Sequence, residues 1–238
     1  MNVAGWGIVA VLVVGTAVVA WGWWSDRVAN QRRADALTRP PDRIVPSLSP
    51  DSPHPHYLSD LEAAVRPDGL PPTELDAGRR HELTGRIAGA PTFPAGWTSR
   101  AFITDPATGW CVLDDPLVLV CEEPATSVRE LLPVLERAKL TGRALVVVAP
   151  DIEPEVADTF RVNMIQGTLH CLLILLADPE LRAAITALTR GASVPRDDLM
   201  AGFLPPAALG TCATWIADED DSWVLPVDGH KPKPQVVL

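Results

Sequence analysis

Residues 142–176 read GRALVVVAPDIEPEVADTFRVNMIQGTLHCLLILL. Ala144 to Ala149 is an unbroken apolar run, as a strand covered on both faces requires. Asp151 is positioned to cap a following helix, and Pro154 falls in its first turn, where a missing N–H costs little. Val156, Phe160 and Met164 recur every fourth residue, and Gly167 is a stop signal. Thr168 to Leu176 reads as a second buried strand. Strand, helix and strand together predict a βαβ unit with parallel strands and a right-handed crossover, hence an α/β fold.

The pattern continues on both sides. Upstream, TSVRELLPVLERAKLTGR (126–143) predicts a helix. Ser127 is its cap, Glu130 completes a capping box, Val128, Leu131, Leu132, Leu135 and Ala138 fall at helical spacing, and Gly142 ends it. Pro133 is awkward there, because an interior proline removes a hydrogen bond. RAFIT (100–104) and DPLVLVCE (115–122) read as strands around the turn DPATG (105–109). Downstream, DPELRAAITALTRGA (178–192) predicts a helix with Asp178 as cap, Pro179 first, Leu181, Ile185 and Leu188 inward, and Gly191 at its end. ATWIAD (213–218) and DSWVLPV (221–227) predict a closing hairpin.

The first segment differs in kind. Val3 to Trp24 carries no charge. As a helix it is about 33 Å long, enough for a hydrocarbon core of about 30 Å. Trp21, Trp23 and Trp24 cluster at one end, where indole rings favour a membrane interface, and Arg27, Arg32 and Arg33 follow. No basic residue precedes the run and no small-residue cleavage site follows it, so the segment reads as an uncleaved anchor. The positive-inside rule then puts the rest of the chain in the cytoplasm. Four cysteines with no CxxC spacing fit a reducing compartment and argue against zinc. From Ala34 to about Pro55 the chain is rich in Pro, Ser and Asp, as a mobile linker is. His54 and His56 there make a poor metal site. YLSDLEAAV (57–65) predicts a short helix, and RPDGLPPTELDAGRRH (66–81) reads as turns and loop.

Charge and motif narrow the function. A net charge of −10 argues against nucleic acid. The chain has no GxxxxGK[ST] phosphate loop. His170 lies in an apolar run and reads as a core histidine; His81 falls in a loop beside Arg79 and Arg80; Ser99 has no Gly-x-Ser-x-Gly context. These spacings assemble no catalytic pair or triad, so the expectation is not an enzyme, with no cofactor and no metal.

FPAGWTSRAFITDPATG (93–109), VLDDPLVLV (112–120), the 127–169 stretch, ALTRGASV (187–194) and LGTCATWIADED (209–220) occur in one order. Their shared words are Gly-aromatic-x-Ser, a Leu-Leu-Pro helix and a helix ending Val-Asn-x-x-x-Gly. From about Gly89 to Gly229 the chain resembles the apical, polypeptide-binding domain of group I chaperonins, the GroEL type. The resemblance implies a swivelling β/β/α domain in which two consecutive helices flank an apolar groove for polypeptide segments. It places that groove at Trp97, Ala101, Phe102, Leu132, Leu135, Ala157, Arg161 and Val162, with Asn163 and Gly167 in the helix-end word. Ala101, Ala157 and Arg161 depart from the bulkier apolar residues of the family. The family's equatorial ATPase domain has no counterpart here. For Leu132, Leu135 and Val162 the residues leave two readings open, a binding stripe or ordinary core.

The expected organisation is an anchor (1–25), a Pro-rich linker with a short helix (26–83), an apical-like domain (84–229) and a tail (230–238). The expected function is a membrane-tethered, ATP-independent polypeptide- or protein-binding module. The alternative is a structural scaffold subunit of a membrane-associated complex, with no free groove.

Overall fold

The structure, a computed structural model, describes residues 13–28, 31, 59–68, 70 and 74–227 of the chain. The chain divides into two units, Met1–His56 and Tyr57–Leu238. In the first, residues 13–28 are helical. The apolar side chains Val13, Val14, Val18, Val19, Trp21, Trp23 and Trp24 are all exposed. Arg27 lies over the Trp23 ring, 5.1 Å from its centroid. Val3 to Leu12, most of the Pro-rich linker and the tail from residue 228 lie outside the described residues. Among the described residues no helix is long and apolar enough to cross a membrane.

The second unit runs α1 (Asp60–Ala63), α2 (Ala77–Ile87), β1 (Thr92–Phe93), a 3-10 turn (Arg100–Phe102), β2 (Cys111–Asp114), β3 (Leu117–Cys121) and α3 (Val128–Thr141). There follow β4 (Leu145–Ala149), α4 (Pro154–Ile165), β5 (Cys171–Leu175), α5 (Pro179–Thr189), β6 (Ser193–Val194) and α6 (Arg196–Met200). A second 3-10 turn (Pro206–Ala208), β7 (Gly210–Thr211), β8 (Thr214–Ala217) and β9 (Ser222–Leu225) complete it. The fold is mixed α/β. One sheet has the order β5-β4-β3-β6, all parallel, with β7 sharing β3's outer edge in the antiparallel sense. The other is antiparallel, β1-β9-β8-β2.

Composition explains the layering. β3 and β4 are buried at every residue, as their unbroken Leu/Val runs require of strands covered on both faces. Val156 and Phe160 are fully buried and Met164 nearly so, which seats α4 on this sheet through its inward stripe. Gly142, at φ 66°, closes α3 in the left-handed conformation, and Asp178 caps α5 by accepting the Glu180 and Leu181 amides. The closing hairpin is β8–β9. On its far side Leu83 of α2 joins Ile216 and Leu225 in a second, smaller core.

Several local expectations give way to tertiary contacts. RAFIT is not a strand: Ser99 caps it by accepting the Ala101 amide, and the chain makes a 3-10 turn that drives Phe102 into the core. Glu153, not Asp151, is the cap residue of α4; the Asp151 carboxylate accepts the adjacent Ile152 amide instead. Glu130 does not return to Ser127. Its carboxylate accepts the Thr126 hydroxyl at 2.8 Å and amide at 3.3 Å, and pairs with Arg196 of α6 at 3.1 Å. The left-handed C-cap of α5 is Arg190, one residue before Gly191. Residues 77–81 are helical, so α2 begins inside the stretch read as turns and loop, and His81 is exposed on that helix.

The buried Asp105 is one of the contacts that bind α2 to the rest. Its carboxylate accepts Arg80 Nε at 3.0 Å and NH2 at 2.9 Å, the Thr108 hydroxyl at 2.7 Å and the Leu75 amide at 3.4 Å. The Arg80 guanidinium holds this carboxyl below its ordinary range.

Candidate functional site

α3 and α4 are consecutive helices that touch on the parallel sheet, and the residues the resemblance selects are distributed along both. On α3, the stripe Leu131, Val134 and Ala138 is buried, which turns Leu132 outward at 45 % exposure and leaves Leu135 half-buried against the core. On α4, Val156, Phe160 and Met164 face inward, so Ala157, Arg161 and Val162 lie on the flank and are half-buried. Helical geometry makes Ala157 and Arg161 neighbours one turn apart, with Val162 about 100° further round the helix. Arg161 Nε donates to Asp158 at 3.1 Å on the same helix, so its charge is paired.

The remaining positions lie on the segment before β2. Trp97 is half-buried: its amide donates to Asp218 O at 2.8 Å and its indole N–H to Gly109 O at 3.1 Å. Gly96 makes this clamp possible, because a Cβ there would come within 2.2 Å of Asp218 O. Ala101 is half-buried in the 3-10 turn, which packs on α4. Phe102 is 1 % exposed and belongs to the core, so it presents no face to a ligand in this conformation. Asn163 accounts for the helix-end word. Its side-chain amide donates to Thr159 O, and its Oδ1 accepts the Thr168 hydroxyl at 2.6 Å, locking the exit of α4 before β5.

Some features were not visible in the pattern. Met200, the last residue of α6, and Phe203 just beyond it are each 62 % exposed. α6 packs on α3, and a Cβ at Gly202 would stand 4.0 Å from the Pro133 ring, so this apolar pair flanks the outer side of α3. The signal that places it is the Glu130–Arg196 pair, which no spacing rule links across 66 residues. A cleft of about 370 Å³ lies at the C-terminal end of α4, with Ala101, Ile103 and Ile165 in its walls and Arg66 and His170 on it. His170 is exposed here and not in the core, because β5 begins only at Cys171. A second cavity of about 500 Å³ lies beside α5 and includes Arg182, Thr186 and Ser193. The buried Arg182 guanidinium donates to Leu176 O and Ala177 O at 2.7 Å and to Glu122 O at 3.3 Å, tying the ends of β5 and β3 together.

All four cysteines are free and buried, and burial pushes the Cys121, Cys171 and Cys212 thiols up to about 12 and that of Cys111 higher still. At neutral pH they are protonated and poorly nucleophilic. Among the described residues no group of three His, Cys, Asp or Glu is placed to hold a metal ion. No protein-family model matches the chain.

Proposed function

We propose that this protein is a membrane-tethered, ATP-independent polypeptide-binding module whose folded unit resembles a chaperonin apical domain of the swivelling β/β/α type. The observation that carries the reading is apolar surface on two adjoining helices: Leu132 exposed on α3, with Leu135 on α3 and Ala157 and Val162 on α4 half-buried. A helix that only served the core would keep its apolar residues on one inward stripe. Met200 and Phe203 extend the apolar surface past α3. An extended or helical apolar segment laid along such a flank buries its side chains without any covalent step. The exposed valines and tryptophans of residues 13–28 support an N-terminal anchor, since such side chains are stable in lipid and costly in water. Anchoring concentrates the flank near membrane-bound chains.

The test is binding of a fluorescent peptide of alternating leucine and serine to the full chain in phospholipid nanodiscs. Leu132→Glu and Val162→Glu each put a charge on the flank without touching the inward stripe, and are expected to weaken binding at least about tenfold, roughly 1.4 kcal/mol. Unchanged affinity in both, with unchanged melting, overturns the proposal. The burial of Phe102 favours the second reading, a scaffold subunit. On that reading the chain forms a stable complex and no variant affects peptide affinity, because there is none to affect.

A further inference from the structure

Gln166 closes α4 and sends its side chain to a segment 104 residues earlier. Its amide Nε2 donates to the carbonyls of Glu62 (2.9 Å), Ala63 (3.3 Å) and Val65 (2.9 Å). These carbonyls lie at the C-terminal end of α1, and that of Glu62 also accepts the Val65 amide at 3.2 Å. The other end of α1 is closed by a capping box: Ser59 Oγ accepts the Glu62 amide at 3.4 Å, and the Glu62 carboxylate accepts the Ser59 amide at 2.8 Å. A four-residue helix does not persist alone in water, so α1 owes its existence to α4.

A second contact holds the same segment. Leu70 lies over Gly167, and a Cβ built on that glycine would come within 2.9 Å of both Leu70 methyls. Gly167 also sits at φ 65°. The positive φ at the helix exit favours glycine there, and the absent Cβ leaves room for Leu70 to sit close.

The position of this segment gives it a role. Ala101 lines both the proposed groove and the cleft against which Leu70 packs. Ile165 in that cleft follows Arg161 and Val162 at spacings of four and three, on the same flank of α4. We infer that residues 59–68, with Leu70, are an intramolecular strap that closes one end of the groove and competes with an incoming polypeptide. The inference rests on the proposed polypeptide-binding reading. Only the fraction of molecules with the strap lifted accepts a long ligand, so the strap lowers apparent affinity by that fraction. Linkage makes the effect reciprocal: bound polypeptide loosens the strap as much as the strap opposes binding.

The experiment uses the full chain in nanodiscs and the same leucine–serine peptide. Gln166→Ala removes the amide donor that reaches the Glu62, Ala63 and Val65 carbonyls, and Leu70→Ser independently removes the apolar seat. Both variants are expected to bind about five- to twentyfold tighter than the unaltered chain. Hydrogen exchange at the Ala63 and Val65 amides is expected to accelerate in Gln166→Ala and, in the unaltered chain, on saturation with peptide. Binding that Leu132→Glu abolishes but that Gln166→Ala and Leu70→Ser leave unchanged overturns the strap and spares the groove. Exchange at Ala63 that peptide does not alter overturns it as well. If neither the unaltered chain nor the released variants bind peptide, the groove reading falls and the gating role falls with it.

Discussion

Asp105 carries more of the fold than its place in a DPATG turn implies. It is fully buried, and it satisfies donors from Arg80, Thr108 and Leu75 at once. Its carboxyl is held below the ordinary range, with the Arg80 hydrogen bonds as the leading cause. A depressed carboxyl stabilises the fold above the unfolded value of about 4, and that contribution is lost as pH falls through the folded value. Asp105→Asn is therefore expected to lower stability by about 2 kcal/mol at pH 7, since the substituted amide leaves buried donors imperfectly paired. The gap between variant and unaltered chain is expected to close progressively from about pH 5 toward pH 2. Urea denaturation at several pH values reads both effects, and a gap independent of pH would remove the carboxylate from the account.

α2 is the element that most changes the organisation of the chain. Leu83 is completely buried against the hairpin with Ile216 and Leu225, and Arg80 on the same helix reaches Asp105. A fragment of residues 84–227 is expected to be less stable than one of residues 57–227 by at least about 3 kcal/mol, the cost of stripping a buried leucine and its neighbours. Equal urea midpoints for the two fragments would contradict this. The elements that were legible in advance share one property: their signal is local. The Leu/Val runs of β3 and β4, the Val156–Phe160–Met164 stripe, Ser127 and Asp178 as caps and Gly142 as stop act within one turn or one strand. What was not legible depends on distant partners. α2 has few apolar residues and becomes a helix on the domain because Leu83 meets the hairpin. Arg100–Phe102 becomes a 3-10 turn because Phe102 has a core to enter and Ser99 can cap it. Glu130 abandons its capping box for Thr126 and for Arg196, 66 residues away. The outward flank of the candidate site was half legible: helical spacing put Leu132 and Leu135 on neighbouring faces, but which face met the sheet required Val134 and the fold.

The arrangement of the chain as a whole is tested by its thiols. Because all four native cysteines are buried and hold their protons, a single cysteine introduced in the Pro-rich stretch, at Ser49, reports its own accessibility. In intact cells, if the proposed anchor follows the positive-inside rule, a membrane-impermeant maleimide is expected to leave it unlabelled until the membrane is opened. Rapid labelling of intact cells would reverse the orientation. One further property follows from the way Trp97 is seated. β5 pairs with β4 on one side only, and along its other side the backbone meets a single antiparallel bridge, Trp97 to Ile174. The indole clamp thus doubles as a guard rail for an outermost strand whose sequence, CLLIL, is as sticky as any in the molecule. Any event that pried Trp97 loose would bare a template for strand addition between copies.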